Sequence, residues 1–171
     1  AAQVGGSLWA VHLEQVLRLA RGERPSGALD LAGCTVRRSW GELSFAPAGG
    51  DTVPTPMPLT PGDHCWGGWK IQCREGICPP GGERGPGYWL RPGEYTVRAR
   101  RTGDVIRLPG RPAKTLKKLM IERKIPAHLR DFLPVVAGAR GVAAAAGIGP
   151  HQGALARPGE SALYIIIEKG D

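Results

Sequence analysis

The residues able to do chemistry in this sequence are cationic, and they are crowded together. Between Arg98 and Arg130 stand eleven Lys and Arg residues, opposed only by Asp104 and Glu122. That stretch carries a net charge of +9, whereas the whole 171-residue chain is +8, so the remainder is −1. Basicity this local is an electrostatic footprint for a polyanion. A short Lys run is more commonly a solvated helix face. Nine net charges in one segment nevertheless exceed what solubility requires.

Other reactive types are sparse. The four cysteines are Cys34, Cys65, Cys73 and Cys78, with His64 beside Cys65. Only Cys73 and Cys78 approach zinc-ligand spacing, and Pro79-Pro80 follows at once, so buried reduced thiols are expected and no metal. His64, His128 and His151 have no sequence-evident catalytic partner, so no catalytic residue is expected. No charged segment followed by an apolar core opens the chain, and no apolar run approaches bilayer length. A soluble, cytoplasmic protein without a membrane partner is expected. The absence of an initiator Met suggests a processed or truncated chain.

The elements that must position the basic residues follow from periodicity. Ser7 to Arg21 reads as a helix with Ser7 as N-cap, and its wide apolar arc asks for partners on more than one side. After the breakers of Arg21 to Gly27 come three short strands, ALDLAG, CTVRRSW and ELSFAP, with Trp40-Gly41 as a hairpin turn. Pro47 to Pro56 is a loop. GDHCWGGWKIQC resumes a β pattern, and Arg74 to Trp89 is a second loop, dense in Gly and Pro and long enough to be mobile. YTVRARR alternates as a strand, with Arg98 and Arg100 on one face. A helix begins near Lys114, and Pro126 starts a second short one. Three apolar stretches close the chain, ending in the buried strand of ALYIIIEKG. The expected fold class is α+β: an N-terminal helix, a β-rich middle and a C-terminal mixed α/β module with sheets packed against the basic helix. The expected domains are 1–27, 28–93 and 94–171.

Winding Lys114 to Lys124 at the helical period separates its faces. Leu116, Leu119 and Met120 form a core stripe. Lys114, Lys117, Lys118 and Lys124 fall opposite, with Ile121 among them, placed to meet a sugar edge or a neighbouring domain. Arg123 lies within the stripe, as a snorkelling side chain or as the ion-pair partner of Asp104 or Asp131.

The turn ending in Gly103-Asp104, its leading arginine readable as Arg100 or Arg101, then Gly110, then KTLKKLMIERKIPAHLRDFLPVV, resembles the C-terminal domain of the tRNA(Ile)-lysidine synthase family. HLEQVLRLARGERPSGALDLAGCTVRRSWGELSF resembles the same family upstream, so the likeness spans most of the chain. It implies sheets and helices similar to the B3/B4 module of phenylalanyl-tRNA synthetase. The implied structural residues are Gly103, Asp104, Pro126 and Arg130, beside Arg123, to which the helix winding gives a structural role. The implied parent enzyme uses ATP and magnesium to ligate lysine onto the wobble cytidine of tRNA(Ile). The family's S-G-G-x-D-S loop for ATP has no match. The nearest string, Gly49-Gly50-Asp51, lacks the spacer and the strand-to-helix setting. A non-catalytic, tRNA-holding part is therefore expected. Its RNA-binding residues would be Arg98, Arg100, Lys114, Lys117, Lys118 and Lys124, while Arg107 and Arg111 would contact RNA or brace their turns. The implied partners are a tRNA(Ile) with a CAU anticodon and the catalytic N-terminal domain of the same parent. An inter-domain or homodimer module and a free-standing basic nucleic-acid module are the rival readings.

Overall fold

The structure, a computed structural model, describes residues 10–23, 26–31, 34–47, 52–81 and 85–170. The chain divides into two compact units, residues 1–52 and 53–171. The expected boundaries at 27 and 93 are not where it divides. Residue 27 falls inside a strand of the first unit, and residue 93 lies between two strands of the second unit that belong to different sheets.

In the first unit, helix α1 (Ala10–Arg21) precedes an antiparallel meander of β1 (Ser26–Leu31), β2 (Cys34–Ser39) and β3 (Glu42–Pro47). The expected N-cap, Ser7, lies outside the described residues. Val16 and Leu19 of α1, with Leu29, pack against Leu31, Cys34 and Val36. Leu13 and Leu17 stay exposed, so one side of the broad apolar arc is covered within this unit. The β2–β3 turn is the expected Trp40-Gly41 pair. Both residues have positive φ, 51° and 91°, as the twist of a two-residue hairpin requires.

The second unit interleaves early and late strands. These are β4 (Met57–Leu59), β5 (Gly62–Trp66), β6 (Trp69–Ile77), β7 (Tyr88–Leu90), β8 (Tyr95–Arg98), β9 (Val105–Ile106) and β10 (Lys114–Thr115). Helix α2 (Leu116–Glu122) follows, then β11 (Val135–Gly138), β12 (Gly141–Ala145), β13 (Gly149–Pro150) and β14 (Ser161–Lys169). One sheet has the order β13-β12-β11-β8-β4 and the other β5-β6-β14-β7, while β9 pairs with β10. The closing strand β14 pairs with β6 over nine residues and with β7 on its other edge. The pairing of β4 with β8 likewise ties residues 57–59 to the basic segment.

Alternation along the strands then sorts the cores. Leu59, Val97 and Val136 from the larger sheet join Trp66, Ile71, Leu90 and Ile165 from the smaller one in a single cluster. Val135, one residue earlier on β11, faces the opposite way and packs with Ile106, Leu116, Leu119 and Met120. The larger sheet is thus covered by the second sheet on one face and by β9 and α2 on the other.

The expected mobile loop from Arg74 to Trp89 is shorter than its composition suggests. Residues 74–77 continue β6 and 88–90 form β7. Cys78 N–H donates to Glu160 O at 2.9 Å, and Gly159 N–H donates to Cys78 O at 2.8 Å. Gly87 lies so close to the Tyr164 ring and to Ile165 O that a Cβ would come within 2.7 Å of both. Cys34, Cys73 and Cys78 are buried thiols, but Cys65 is exposed. It stands beside Trp66 on β5, and successive strand residues face opposite ways. Ile165→Ala, in the shared core, is expected to lower unfolding free energy by about 2–5 kcal/mol. Ile77→Ala, at an exposed strand end, should stay within about 0.5 kcal/mol. Urea denaturation compares them, and equal losses would contradict this core.

Candidate nucleic-acid interface

The basic segment is held by a carboxylate. Arg98, at the end of β8, is 8% exposed. Its guanidinium meets Asp104 in a two-point pair, Nη1 to Oδ2 at 2.8 Å and Nη2 to Oδ1 at 2.9 Å. A planar fork against a carboxylate is the strongest geometry available to such a pair. Nη1 also donates to Ala99 O at 2.9 Å. Asp104 Oδ2 accepts Arg101 N–H at 2.7 Å, and Asp104 N–H donates to Arg101 O at 3.1 Å, closing the turn in which Gly103 takes φ 89°. Asp104 O then accepts Leu116 N–H at 2.9 Å, at the first residue of α2. One residue therefore connects the sheet edge, the turn and the helix start. Burial pushes the Asp104 carboxyl up. The Arg98 hydrogen bonds, the Arg101 N–H and the charges of both arginines outweigh burial and hold it below the usual carboxylate value.

Helix α2 begins two residues later than its periodicity implied. Lys114 and Thr115 pair with β9 as a strand, and Thr115 becomes the N-cap, its Oγ1 accepting Lys118 N–H at 3.3 Å. Leu116, Leu119 and Met120 are buried as the stripe predicted. The helix stops at Glu122 in a Schellman motif: Ile125 N–H donates to Met120 O and Lys124 N–H to Ile121 O, both at 2.9 Å. Lys124 holds the left-handed position at φ 55°, where glycine is usual. The short 3-10 helix Ala127–Phe132 follows, with Pro126 at its N-cap position. Arg130 Nε donates to Ile125 O at 2.9 Å, tying that turn to the helix end.

The cations now fall into two sets. Arg98 was expected on the RNA face and is instead the buried partner of Asp104. It was misassigned because alternation gives a strand two faces without saying which is covered. Arg100 Nε lies 2.9 Å from Asp131 Oδ1 with its side chain 21% exposed. The attraction is Coulombic rather than an aligned hydrogen bond, since no acceptor meets that N–H. Lys114 is half-buried and spans the helix to reach both Glu122 oxygens, at 2.9 and 3.0 Å. Lys114, together with the charges of Lys118 and Arg111, holds the Glu122 carboxyl below its usual value, against a smaller upward push from desolvation. Arg123 is exposed outside the core stripe, and both carboxylates proposed for it already hold other arginines. It caps the helix and acts electrostatically on Tyr88, whose hydroxyl burial pushes up.

The second set is exposed: Arg101, Arg107, Arg111, Lys117, Lys118, Arg123 and Lys124. None of these side chains has an ion-pair contact among the described residues. Ile121 sits among them, 42% exposed. Arg101 was not on the expected contact surface. Its position flanking the Gly103-Asp104 turn was the available signal. Among the described residues no group of three His, Cys, Asp or Glu side chains could hold a metal, and no helix is long and apolar enough to cross a membrane.

Fold and site together define a strand-rich, mixed α/β domain carrying a basic helical face. Residues 95–167 match the family described as the TilS substrate C-terminal domain. A solved structure described as the TilS C-terminal domain superposes with a TM-score of 0.52 at 25% identity, covering 70% of this chain and 94% of that one. The tRNA(Ile)-lysidine synthase of Geobacter sulfurreducens is 31% identical over 137 residues, 73% of this chain and 29% of that protein. The enzyme of the same name from Geobacillus kaustophilus is 32% identical over 151 residues, 79% of this chain and 31% of its own length. The chain thus spans under a third of the curated relatives it matches.

Breaking the buried pair has a measurable cost. Asp104→Ala leaves Arg98 buried without its partner and is expected to destabilise the unit by about 3 kcal/mol. Because the folded-state pKa of Asp104 is depressed, its contribution is fully present above about pH 4, its unfolded value. It is lost as pH falls further, through the folded value. Urea midpoints from pH 7 down to pH 2 should show this acid limb weakened in Asp104→Asn. An unchanged limb would contradict the assignment.

Proposed function

We propose that this chain is the substrate-holding C-terminal part of a tRNA(Ile)-lysidine synthase. In this reading the parent enzyme uses ATP with magnesium to ligate lysine onto the wobble cytidine of a tRNA(Ile) bearing a CAU anticodon, so that AUA is read instead of AUG. This part grips the tRNA on its acceptor-stem side, in the cytoplasm, while the catalytic N-terminal domain of the parent performs the chemistry. The likeness of the sheets to the B3/B4 module of phenylalanyl-tRNA synthetase belongs to the same proposal. The observation that carries it is the exposed, carboxylate-free pair Lys117 and Lys118, with Arg107, Arg111 and Lys124 beside the same helix in sequence. A-form RNA is recognised through shape, phosphate and 2′-hydroxyl contacts, and a Lys/Arg surface supplies such contacts. Arg98 is assigned to the scaffold, and Arg100 and Lys114 keep only part of their charge available.

A second reading rests on Ile121, an exposed apolar residue within the basic face. It suits an inter-domain or homodimer contact. The two readings separate by salt, because phosphate contacts release counterions and apolar contacts do not.

The Lys117→Glu/Lys118→Glu variant is expected to lose tRNA binding by at least tenfold at about 100 mM salt, with a shallower salt dependence and an unchanged thermal melt. Filter binding against salt, beside a melting curve, measures both; full affinity in the variant would rule out the helix as the RNA surface. Lys124→Gly should raise stability by about 1 kcal/mol by relieving the left-handed backbone, yet weaken tRNA binding. A gain in both would remove Lys124 from the interface.

A further inference from the structure

At the end of the larger sheet remote from the Arg98–Asp104 pair lies a cleft of about 480 Å³ that the basic helix does not touch. Tyr95 and Gly138 face each other there across β8 and β11, and the Tyr95 ring packs 3.0 Å from where a Gly138 Cβ would stand. Buried Val142 and Ala143 add apolar lining. The polar groups are Arg91, Arg140 and His151, with Glu94 as the single acid. Tyr95 Oη donates to Arg91 O at 2.8 Å, fixing the ring against the Arg91 loop. Burial raises the Tyr95 hydroxyl, and the charges of Arg91 and Arg140 both act to lower it, so both cations lie near one phenol. His151 Nδ1 accepts Gly153 N–H at 2.9 Å. In the neutral ring that leaves Nε2–H as a donor.

A flat aromatic and small apolar side chains beside two guanidiniums and an imidazole N–H suit a ligand with a flat apolar part and a compact anion. We propose that this cleft binds one nucleoside monophosphate unit, its phosphate between Arg91 and Arg140 and its sugar or base against Tyr95. The unit could arrive as a free nucleotide or as part of a bound RNA. The RNA source rests on the reading given under Proposed function, and the test separates the two.

The full chain is titrated with AMP, with inorganic phosphate and with tRNA, followed by amide chemical shifts and by filter binding. AMP is expected to shift residues 91–95, 138–143 and 151–154. Arg91→Ala/Arg140→Ala should weaken AMP by about tenfold or more, as loss of charge-assisted phosphate contacts implies. The Lys117→Glu/Lys118→Glu variant should leave AMP binding intact while losing tRNA. Weaker tRNA binding in the cleft variant, with AMP competing, identifies an RNA nucleotide as occupant; unchanged tRNA binding in the same variant, with AMP binding lost, identifies a free nucleotide. Overturning results are an absence of AMP-induced shifts at the cleft, or equal shifts from inorganic phosphate. Either would leave the helix-based tRNA reading standing on its own variant.

Discussion

The Arg98–Asp104 pair is the constraint on which the rest of the second unit depends. It converts two charges from a highly charged segment into a fixed joint. The carboxylate takes both nitrogens of a guanidinium and a backbone N–H, while the Asp104 carbonyl receives the first amide of α2. The end of β8 and the start of the helix are set together. Burial of an ion pair is weak evidence of stability in itself. Its contribution here is orientation: Leu116, Leu119 and Met120 reach the sheet, and Lys117 and Lys118 are left in solvent.

From that joint the set of exposed cations follows by subtraction. The acidic residues of the segment and its border are few and already engaged. Asp104 holds Arg98, Asp131 holds Arg100 and Glu122 holds Lys114. The remaining exposed cations have no contacting carboxylate among the described residues, so a polyanion meets no competing internal partner. The helix end extends this arrangement. Lys124 occupies a position where glycine would be less strained, and it places a cation near the helix C-terminus, where the macrodipole favours one.

Much of the fold was legible because its signals are local. The buried stripe of α2 follows from the 3.6-residue period, the β2–β3 hairpin from a two-residue turn with glycine second, and β14 from its run of β-branched residues. Two features were not legible. Strand alternation put Arg98 and Arg100 on one face but could not show that a neighbouring carboxylate covers Arg98. The interval 74–89 looked like one loop because Gly and Pro mark turns, whereas β6 gains its last residues from pairing with β14, some ninety residues later.

The sequence by itself determined the charge of the segment, most of its element types and the family it resembles. Those properties depend on residue identity and near-neighbour spacing. Only the tertiary structure decided which cations remain free. Freedom depends on which carboxylate lies within reach, and that is fixed by turns and sheet pairings joining residues six to eight apart at the Arg98 and Lys114 pairs and thirty-one apart at Arg100 and Asp131. A lysine counted in the sequence is a charge; a lysine placed in the fold is either paired with a carboxylate or left in solvent.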